Sequence, residues 1–246
     1  MRASKIEFRL RLPIQVVIVL LGYWAPWIQY WDWGKRVSLL EWLALEAGRA
    51  GLLRFTDAAP AVIVLGSLIA ALGAVLRVWG AAYLGYGVVH HGRMQSGALM
   101  ADGPYRHVRN PLYLGGWCMM IAISLTMPPS GALFTIVLSG LFYLRLILGE
   151  EAFLAGRLGK PYQEYLRAVP RLLFRFRAAL PSAGSKPRWL TALLTEINPI
   201  AIFITVAFLS WRYDNELTIK AILIGFGVSL VVRAMMPMRP ATPERA

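Results

Sequence analysis

The sequence predicts an all-α, polytopic membrane protein with about six transmembrane helices and one interfacial helix. Of its 246 residues, 57% are hydrophobic and 16% are charged, and the mean hydropathy is +0.54. A soluble domain carries about 25% charged residues. The hydrophobic residues also come in runs close to the roughly 20 residues that cross a bilayer as a helix. Helices are expected because a spanning segment must satisfy its backbone hydrogen bonds internally.

Six hydrophobic segments are predicted to span the membrane. In chain order they are residues 13–31, 60–84, 112–127, 132–149, 197–211 and 217–236. The third and fifth are short for a crossing, so they are expected to tilt little or to extend into flanking residues. Residues 39–55 are also hydrophobic, but charged side chains interrupt them. This segment is predicted to be an interfacial helix, with a seventh span as the alternative.

The positive charges predict the orientation. Arginines and lysines concentrate at the N-terminus, between the second and third spans, in residues 157–188 and in the C-terminal tail. With six spans, all these clusters lie on one side of the membrane, which the positive-inside rule makes cytoplasmic. Both termini are then cytoplasmic, in a cell or inner membrane. Anionic lipid headgroups explain the net charge of +13, and no nucleic-acid recognition module is visible.

Three regions are predicted from the order of the spans. Residues 1–57 form a membrane anchor with the interfacial helix, residues 58–180 a membrane core, and residues 181–246 a C-terminal pair of helices. In the core, Gly66, Gly73 and Gly80 recur on one helical stripe. Small residues at this spacing let helices approach closely, which predicts intramembrane packing and permits a homodimer.

The chain holds few candidate metal ligands. Its single cysteine, Cys118, lies within the third predicted span, where a packing role is expected. His90, His91 and His107 lie in the basic loop before that span, and no metal site is predicted there. No standard motif of soluble enzymes, such as HExxH or a phosphate-binding glycine loop, is present.

Two arginines lie close to the predicted cytoplasmic face. Arg77 and Arg145 come late in the second and fourth spans. Charges inside a membrane are costly and often functional, although long side chains also reach out to the surface. Arg145 precedes the acidic pair Glu150-Glu151 by little more than one helical turn. It is predicted either to pair with these carboxylates or to hold an anionic group of a substrate.

Three short segments carry a recognisable motif. The first is residues 103–115, with the sequence GPYRHVRNPLYLG; the second is Glu150-Glu151; the third, residues 158–171, contains LGKPYQEY and then Val-Pro-Arg. In order and spacing they resemble the motifs of the isoprenylcysteine carboxyl methyltransferase family and of phospholipid methyltransferase-like integral membrane enzymes. The usual form of the first motif in that family is GPYxxxRHPxYxG. The resemblance covers roughly residues 66–176.

The resemblance implies a methyltransferase that uses S-adenosyl-L-methionine at the membrane, and it assigns two sets of residues by position. The cofactor-binding residues would be His90, Gly97, Ala98, Leu99, Met100, Tyr105, Arg109, Asn110, Pro111, Leu112, Tyr113 and Glu150, and the catalytic residues would be Arg145 and Glu151. Asn110 departs from the family pattern, which has histidine there. Asparagine keeps hydrogen-bond donors and acceptors but cannot become positively charged.

The implied chemistry needs no nucleophilic triad. Methyl transfer from a sulfonium is an in-line displacement, and positioning alone can lower a barrier by ~7–11 kcal/mol. The acceptor is expected to be lipophilic: a prenylated carboxylate, a phospholipid amine or a small thiol. Two other readings of the same residues are a membrane reductase that uses NADPH, of the sterol-reductase type, and a noncatalytic lipid-binding membrane protein.

Overall fold

The computed structural model describes residues 2–24, 37–84 and 102–236, and within these ranges it is helical and contains no β-strand. The all-α prediction is therefore confirmed. The α-helices of these ranges, in chain order, are α1 (Lys5–Arg9), α2 (Arg11–Tyr23), α3 (Leu39–Arg49), α4 (Phe55–Leu84), α5 (Pro111–Ser124), α6 (Pro129–Leu158), α7 (Lys160–Ala168), α8 (Trp189–Thr195), α9 (Ile197–Ile204) and α10 (Asn215–Met235). A 3₁₀ turn (Gly103–Arg106) precedes α5, and a π turn (Thr205–Leu209) follows α9.

Three of these helices, α4, α6 and α10, are long and hydrophobic enough to cross a membrane. The bent pair that begins with α8 makes a fourth if it counts as one span. The helices α2 and α5 are hydrophobic but have only 13 and 14 residues, fewer than the roughly 20 of a full crossing. An integral membrane protein is thus supported, but the predicted count of six spans is not confirmed within the described ranges. The first predicted span, residues 13–31, extends beyond them.

The segment predicted to be interfacial forms α3. Ser38 caps its start, because its side chain accepts from the Glu41 amide while the Glu41 carboxylate accepts from the Ser38 N–H at 2.8 Å. Such a capping box satisfies N–H groups that a helix start leaves unpaired. The helix packs through Ala44 against Ala58 and Ala59 of α4. Its location at the membrane surface stays a prediction.

The glycine stripe of α4 lies against α5 and the turn that follows it. A Cβ atom on Gly73 would lie 2.9 Å from Cβ of Cys118, and one on Gly80 would lie 2.9 Å from the Leu112 side chain. A Cβ atom on Gly66 would overlap the side chain of Leu125. The small residues therefore allow a close helix pair within one chain. The possible homodimer through this face is not supported, because the same chain already covers it.

The largest hydrophobic core lies where α4 and α5 meet the C-terminal helices. Its buried residues are Ala70, Ala74, Met119, Ala122, Ile123, Met127, Ala132, Ile202, Val206 and Ile222. A second cluster joins Phe8 and Ile18 of the first two helices to Phe142 and Leu146 of α6. The division into three regions stays a prediction, but the C-terminal helices share a core with the rest of the bundle.

The helix pair α8 and α9 bends by 68° at Glu196. A continuous helix would need the amide of residue 199 to donate to the carbonyl of Thr195, and Pro199 has no N–H. Arg233 of α10 donates to that carbonyl instead, with Nη2 at 2.9 Å. The fifth predicted span, residues 197–211, is therefore the second arm of a bent pair. The bend turns the Glu196 side chain into the bundle, where it is fully buried.

The helix α6 continues past the predicted end of its span. Residues 132–149 were expected to span the membrane, with the acidic pair closing the hydrophobic run, whereas the helix extends to Leu158. Glu150 and Glu151 thus lie within a regular helix, and their side chains point about 100° apart around its axis. This difference in direction decides what each carboxylate contacts.

Candidate functional site

Residues 103–113 form a tight turn that leads directly into α5. Gly103 has a φ of +54°, in the left-handed region that favours glycine. A Cβ atom there would also overlap the ring of Tyr83 at the end of α4. Pro111 is the first residue of α5, a position at which the missing N–H of proline removes no helical hydrogen bond. The glycine and proline of the motif therefore set the backbone that places Tyr113 in the first turn of α5.

Glu151 ties this loop to α6. Its carboxylate accepts from Arg109 Nη1 at 3.0 Å, from Asn110 Nδ2 at 3.2 Å, and from Arg171 Nη2 at 2.8 Å. The residue is 6% exposed. The hydrogen bond to Glu151 raises the pKa of the Arg171 guanidinium, so this pair stays charged. Glu151 is thus the centre of an internal ion cluster, with charged donors that offset its desolvation.

Asn110 lies at the N-cap of α5, yet its side chain does not cap the helix. Its Nδ2 donates to Glu151 and to the carbonyl of Arg171 at 3.2 Å. The neutral amide therefore joins two guanidinium groups around one carboxylate without adding a charge. A protonated histidine at this position would add a positive charge to a cluster that already holds two arginines and one acid.

Glu150 faces a different neighbour. Its Oε2 accepts the hydroxyl of Tyr113 at 3.0 Å, and both side chains are half-buried. The Tyr113 ring lies 5.9 Å from that of Tyr143 on α6. Glu151 is thus enclosed by internal donors, whereas the half-buried Glu150 lies beside an aromatic ring and is attracted electrostatically by Arg11.

The third motif segment lies over the motif loop. Tyr165 of α7 donates its hydroxyl to the carbonyl of Tyr105 at 2.9 Å. Arg109 donates its Nε to the carbonyl of Val169 at 2.7 Å and its amide to the carbonyl of Pro170 at 2.9 Å. Burial raises the pKa of both tyrosines above the ordinary value, so their hydroxyls stay protonated. The three segments, which are separate in the sequence, therefore meet in one place.

An aromatic cluster joins the motif loop and the residues after the Val-Pro-Arg segment to α4. The ring of His107 stacks on Phe174, with centroids 5.2 Å apart, and Trp79 of α4 lies 5.8 Å from His107. His107 Nδ1 also lies 2.7 Å from the carbonyl of Arg175. The residues after the Val-Pro-Arg motif are thus held against the loop by ring contacts as well as by hydrogen bonds.

Asp102 anchors residues 182–185, the segment that precedes α8. Its Oδ1 accepts from Ser182 Oγ at 2.7 Å and from the Ala183 amide at 2.9 Å, and its Oδ2 accepts from the Ser185 amide at 2.8 Å. The hydrogen bond from Ser182, followed by that from Ser185, lowers the pKa of Asp102 below its ordinary value of 3.8.

This anchor predicts a pH dependence of stability. A carboxyl group whose pKa is lower in the folded state stabilises the fold above its unfolded pKa and loses this contribution as the pH falls through the folded value. We expect Asp102→Asn to lower the Tm near pH 7 and to lower it less at about pH 3. The measurement is the Tm difference between variant and wild type across this range. A Tm difference that increases toward acid pH would contradict the stabilising role of the ionised Asp102.

Arg145 contacts the N-terminus and not the acidic pair. Its Nη2 donates to Glu7 Oε1 at 2.9 Å and Oε2 at 3.0 Å, and its carbonyl accepts from the Ala3 amide at 3.1 Å. The predicted pairing with Glu150-Glu151 is therefore wrong. These carboxylates are turned toward α5 and α7, whereas Arg145 lies on the face of α6 that packs against α1.

Arg77 does not extend its side chain to the surface either. Its Nε donates to Glu196 Oε2 at 2.6 Å, and its Nη1 donates to the carbonyl of Leu112 at 3.3 Å. Sequence reasoning did not assign Glu196 or Arg171 to the site. Glu196 had a usable signal, since it is the one charged residue within the hydrophobic residues 189–211, and an ionisable residue in such a segment is a functional candidate.

The predicted site residues divide into three groups. His90, Gly97, Ala98, Leu99 and Met100 lie outside the described residues. The structure brings together Tyr105, Arg109, Asn110, Pro111, Leu112, Tyr113, Glu150 and Glu151. Arg145 lies apart from these contacts, beside Glu7. Among the described residues, no group of three or more His, Cys, Asp or Glu side chains could hold a metal ion.

Comparison with known proteins finds a family match over part of the chain. Residues 61–161 match the family model of the phospholipid methyltransferases. The match runs from the first turns of α4 through α5 and α6 into α7 and includes the motif loop and the acidic pair. No curated protein and no solved structure matches the chain. The resemblance predicted from the motifs is confirmed at this level: over residues 61–161, the chain matches the phospholipid methyltransferase family.

Proposed function

We propose that this protein is an integral membrane methyltransferase that uses S-adenosyl-L-methionine to methylate a lipophilic acceptor. The observation that supports this most directly is the contrast between two adjacent carboxylates. Glu151 is buried among three internal donors, whereas Glu150 is half-buried and accepts the hydroxyl of Tyr113. A partly exposed carboxylate on α6, beside an aromatic ring and next to the motif loop, is an arrangement suited to a ligand.

The residues at this place fit the chemistry of the cofactor. Ribose hydroxyls and an amino group are donors, and a carboxylate such as Glu150 accepts them in strong, charge-assisted hydrogen bonds. The ring of Tyr113 suits the adenine or the positively charged sulfonium. Tyr105, Asn110 and Pro111 are buried, so we assign them, with Arg109, to shaping the loop. When bound, the cofactor supplies a methyl group on sulfur, and the chain orients the acceptor toward it.

We propose that the site faces the cytoplasm. The contacts of the motif loop with residues 175 and 180 bring the loop together with a segment rich in arginine. Basic residues at a membrane surface favour the side with anionic headgroups. A lipid acceptor would approach from the bilayer, between helices, and meet a water-soluble cofactor bound at the loop.

A ligand titration tests the proposal. Because a ligand that binds only the folded state raises its stability, purified protein is titrated with S-adenosylhomocysteine and, separately, with NADPH while the Tm is followed. We expect S-adenosylhomocysteine to raise the Tm and NADPH to leave it unchanged. Stabilisation by NADPH would favour the reductase, and no stabilisation by either ligand would favour a noncatalytic lipid-binding protein.

The pairing of Arg145 predicts an effect on anionic acceptors. If Arg145 holds a carboxylate or phosphate of the acceptor, Glu7 competes for it in the absence of substrate. Glu7→Gln should then lower the KM for an anionic lipid acceptor, while Arg145→Ala should raise it. Neither variant should alter the KM for a neutral acceptor. Equal effects on both kinds of acceptor would assign the pair to holding α1 against α6 and not to substrate binding.

A further inference from the structure

One ion pair connects the C-terminal helices to α4, the helix that packs against α5. Arg77 Nε and Glu196 Oε2 lie 2.6 Å apart; the Glu196 side chain is 0% exposed and that of Arg77 is 21% exposed. Arg77 is within the part that matches the family, whereas Glu196 lies beyond it, at the bend between α8 and α9. The pair therefore joins the part of the chain that matches the family model to the C-terminal helices outside it.

Arg77 continues the connection to α5. Its Nη1 donates to the carbonyl of Leu112, in the first turn of α5 between Pro111 and Tyr113. The stem of Arg77 lies against the next turn, because a Cβ atom on Gly115 would be 2.7 Å from Arg77 Cγ. The guanidinium therefore holds the first turn of the motif helix from one side and depends on Glu196 from the other.

Stability alone gives a weak reason for such a pair. Removing two charges from water is costly, and well-packed hydrophobic residues of similar size are often equally stabilising in place of a buried ion pair. Glu196 is also incompletely satisfied, since its buried Oε1 has no hydrogen-bond partner among the described residues. A pair retained at this cost, and directed at the motif helix, is better explained by what it holds in place.

We infer that Glu196 is a positioning residue for the cofactor site: through Arg77 it fixes the first turn of α5, so the C-terminal helices complete the site. The inference rests on the function proposed above. The location of Glu196 is itself set by the bend, where Pro199 interrupts the helix and Arg233 holds the freed carbonyl of Thr195. The acid reaches Arg77 only because α8 and α9 do not form one straight helix.

A double variant separates positioning from stability. Glu196→Gln removes the charge and leaves the half-buried Arg77 cation without its carboxylate, so it should weaken S-adenosylhomocysteine binding and also lower the Tm. Arg77→Met/Glu196→Leu replaces both charges by hydrophobic side chains. We expect this double variant to recover most of the wild-type Tm but to bind S-adenosylhomocysteine at least tenfold more weakly. Hydrogen exchange in residues 110–118 should also be faster than in the wild type.

The control is a destabilised variant that does not touch the pair. Ile222→Ala opens a cavity in the hydrophobic core to which α10 contributes this side chain. It should lower the Tm without weakening ligand binding. A double variant that binds S-adenosylhomocysteine as tightly as the wild type would overturn the inference. If the wild type itself does not bind, the proposed function fails instead. The exchange measurement then decides the positioning role alone, and unchanged exchange in residues 110–118 would overturn it.

Discussion

Replacing Glu150 with alanine is expected to remove most of the affinity for S-adenosylhomocysteine while leaving the fold intact. Hydrogen bonds to a charged group contribute about 1.5–3 kcal/mol, which corresponds to a roughly 10- to 150-fold weaker Kd. We expect a smaller loss of stability than for Glu151→Ala, because Glu150 is half-buried and its described partners are the Tyr113 hydroxyl and the charge of Arg11. The measurement is calorimetric titration together with the Tm of the unliganded variant.

Tyr113→Phe is the matched control for Glu150→Ala. It removes the same internal hydrogen bond but keeps the carboxylate and the aromatic ring. We expect it to bind S-adenosylhomocysteine nearly as well as the wild type. An unchanged affinity in Glu150→Ala would contradict the assignment of this carboxylate to the cofactor.

Glu151→Ala is expected to have the largest effect on stability. It leaves Arg109, whose side chain is 12% exposed, without its carboxylate partner, and breaking a buried ion pair typically costs about 3–5 kcal/mol. For a chain of this size, each kcal/mol lowers the Tm by about 2–4 °C, so a decrease on the order of 10 °C should be observed. Arg171→Ala should cost less, because that side chain is 41% exposed and water screens its charge.

An exposed ion pair of the same protein provides the comparison. Arg49 and Glu46 pair at 2.6 Å on the surface of α3 with side chains 72% and 40% exposed, and the loss of such a pair costs less than about 1 kcal/mol. Glu46→Ala should therefore leave the Tm nearly unchanged. If Glu151→Ala also kept its Tm but lost methyl transfer, the catalytic role predicted for Glu151 from the motif would be favoured over a structural one.

The motifs predicted which residues come together at the site better than they predicted what each residue does there. Spacing along the sequence indicated that the loop of residues 103–115, the acidic pair and the Val-Pro-Arg segment belong together, and the structure joins them through Arg109, Glu151 and Arg171. Sequence could not show which acid of the pair is enclosed. The burial of each acid depends on what packs against each side of α6. The spacing of the motifs along the sequence cannot distinguish two adjacent residues.

The partners of Arg77 and Arg145 could not be predicted from the sequence either. Arg77 and Arg145 were expected to reach the surface or the acidic pair, whereas each pairs with an acid more than a hundred positions away in the chain: Glu196 and Glu7. Such partners are set by helix packing and, for Glu196, by a bend at a proline. No local pattern around either arginine contains this information.

The sequence by itself predicted the helical membrane class, the resemblance to the methyltransferase family whose model residues 61–161 match, and the segments that build the loop. These follow from composition and from short motifs whose glycines and prolines dictate local backbone geometry. Only the tertiary structure decided that Glu150 lies half-buried beside Tyr113, that Glu151 is enclosed and that Glu196 reaches the motif helix through Arg77. The physical reason is that the ionic partner of a buried charge is chosen by three-dimensional packing, because a low-dielectric interior allows a charge only where an opposite charge is brought to it.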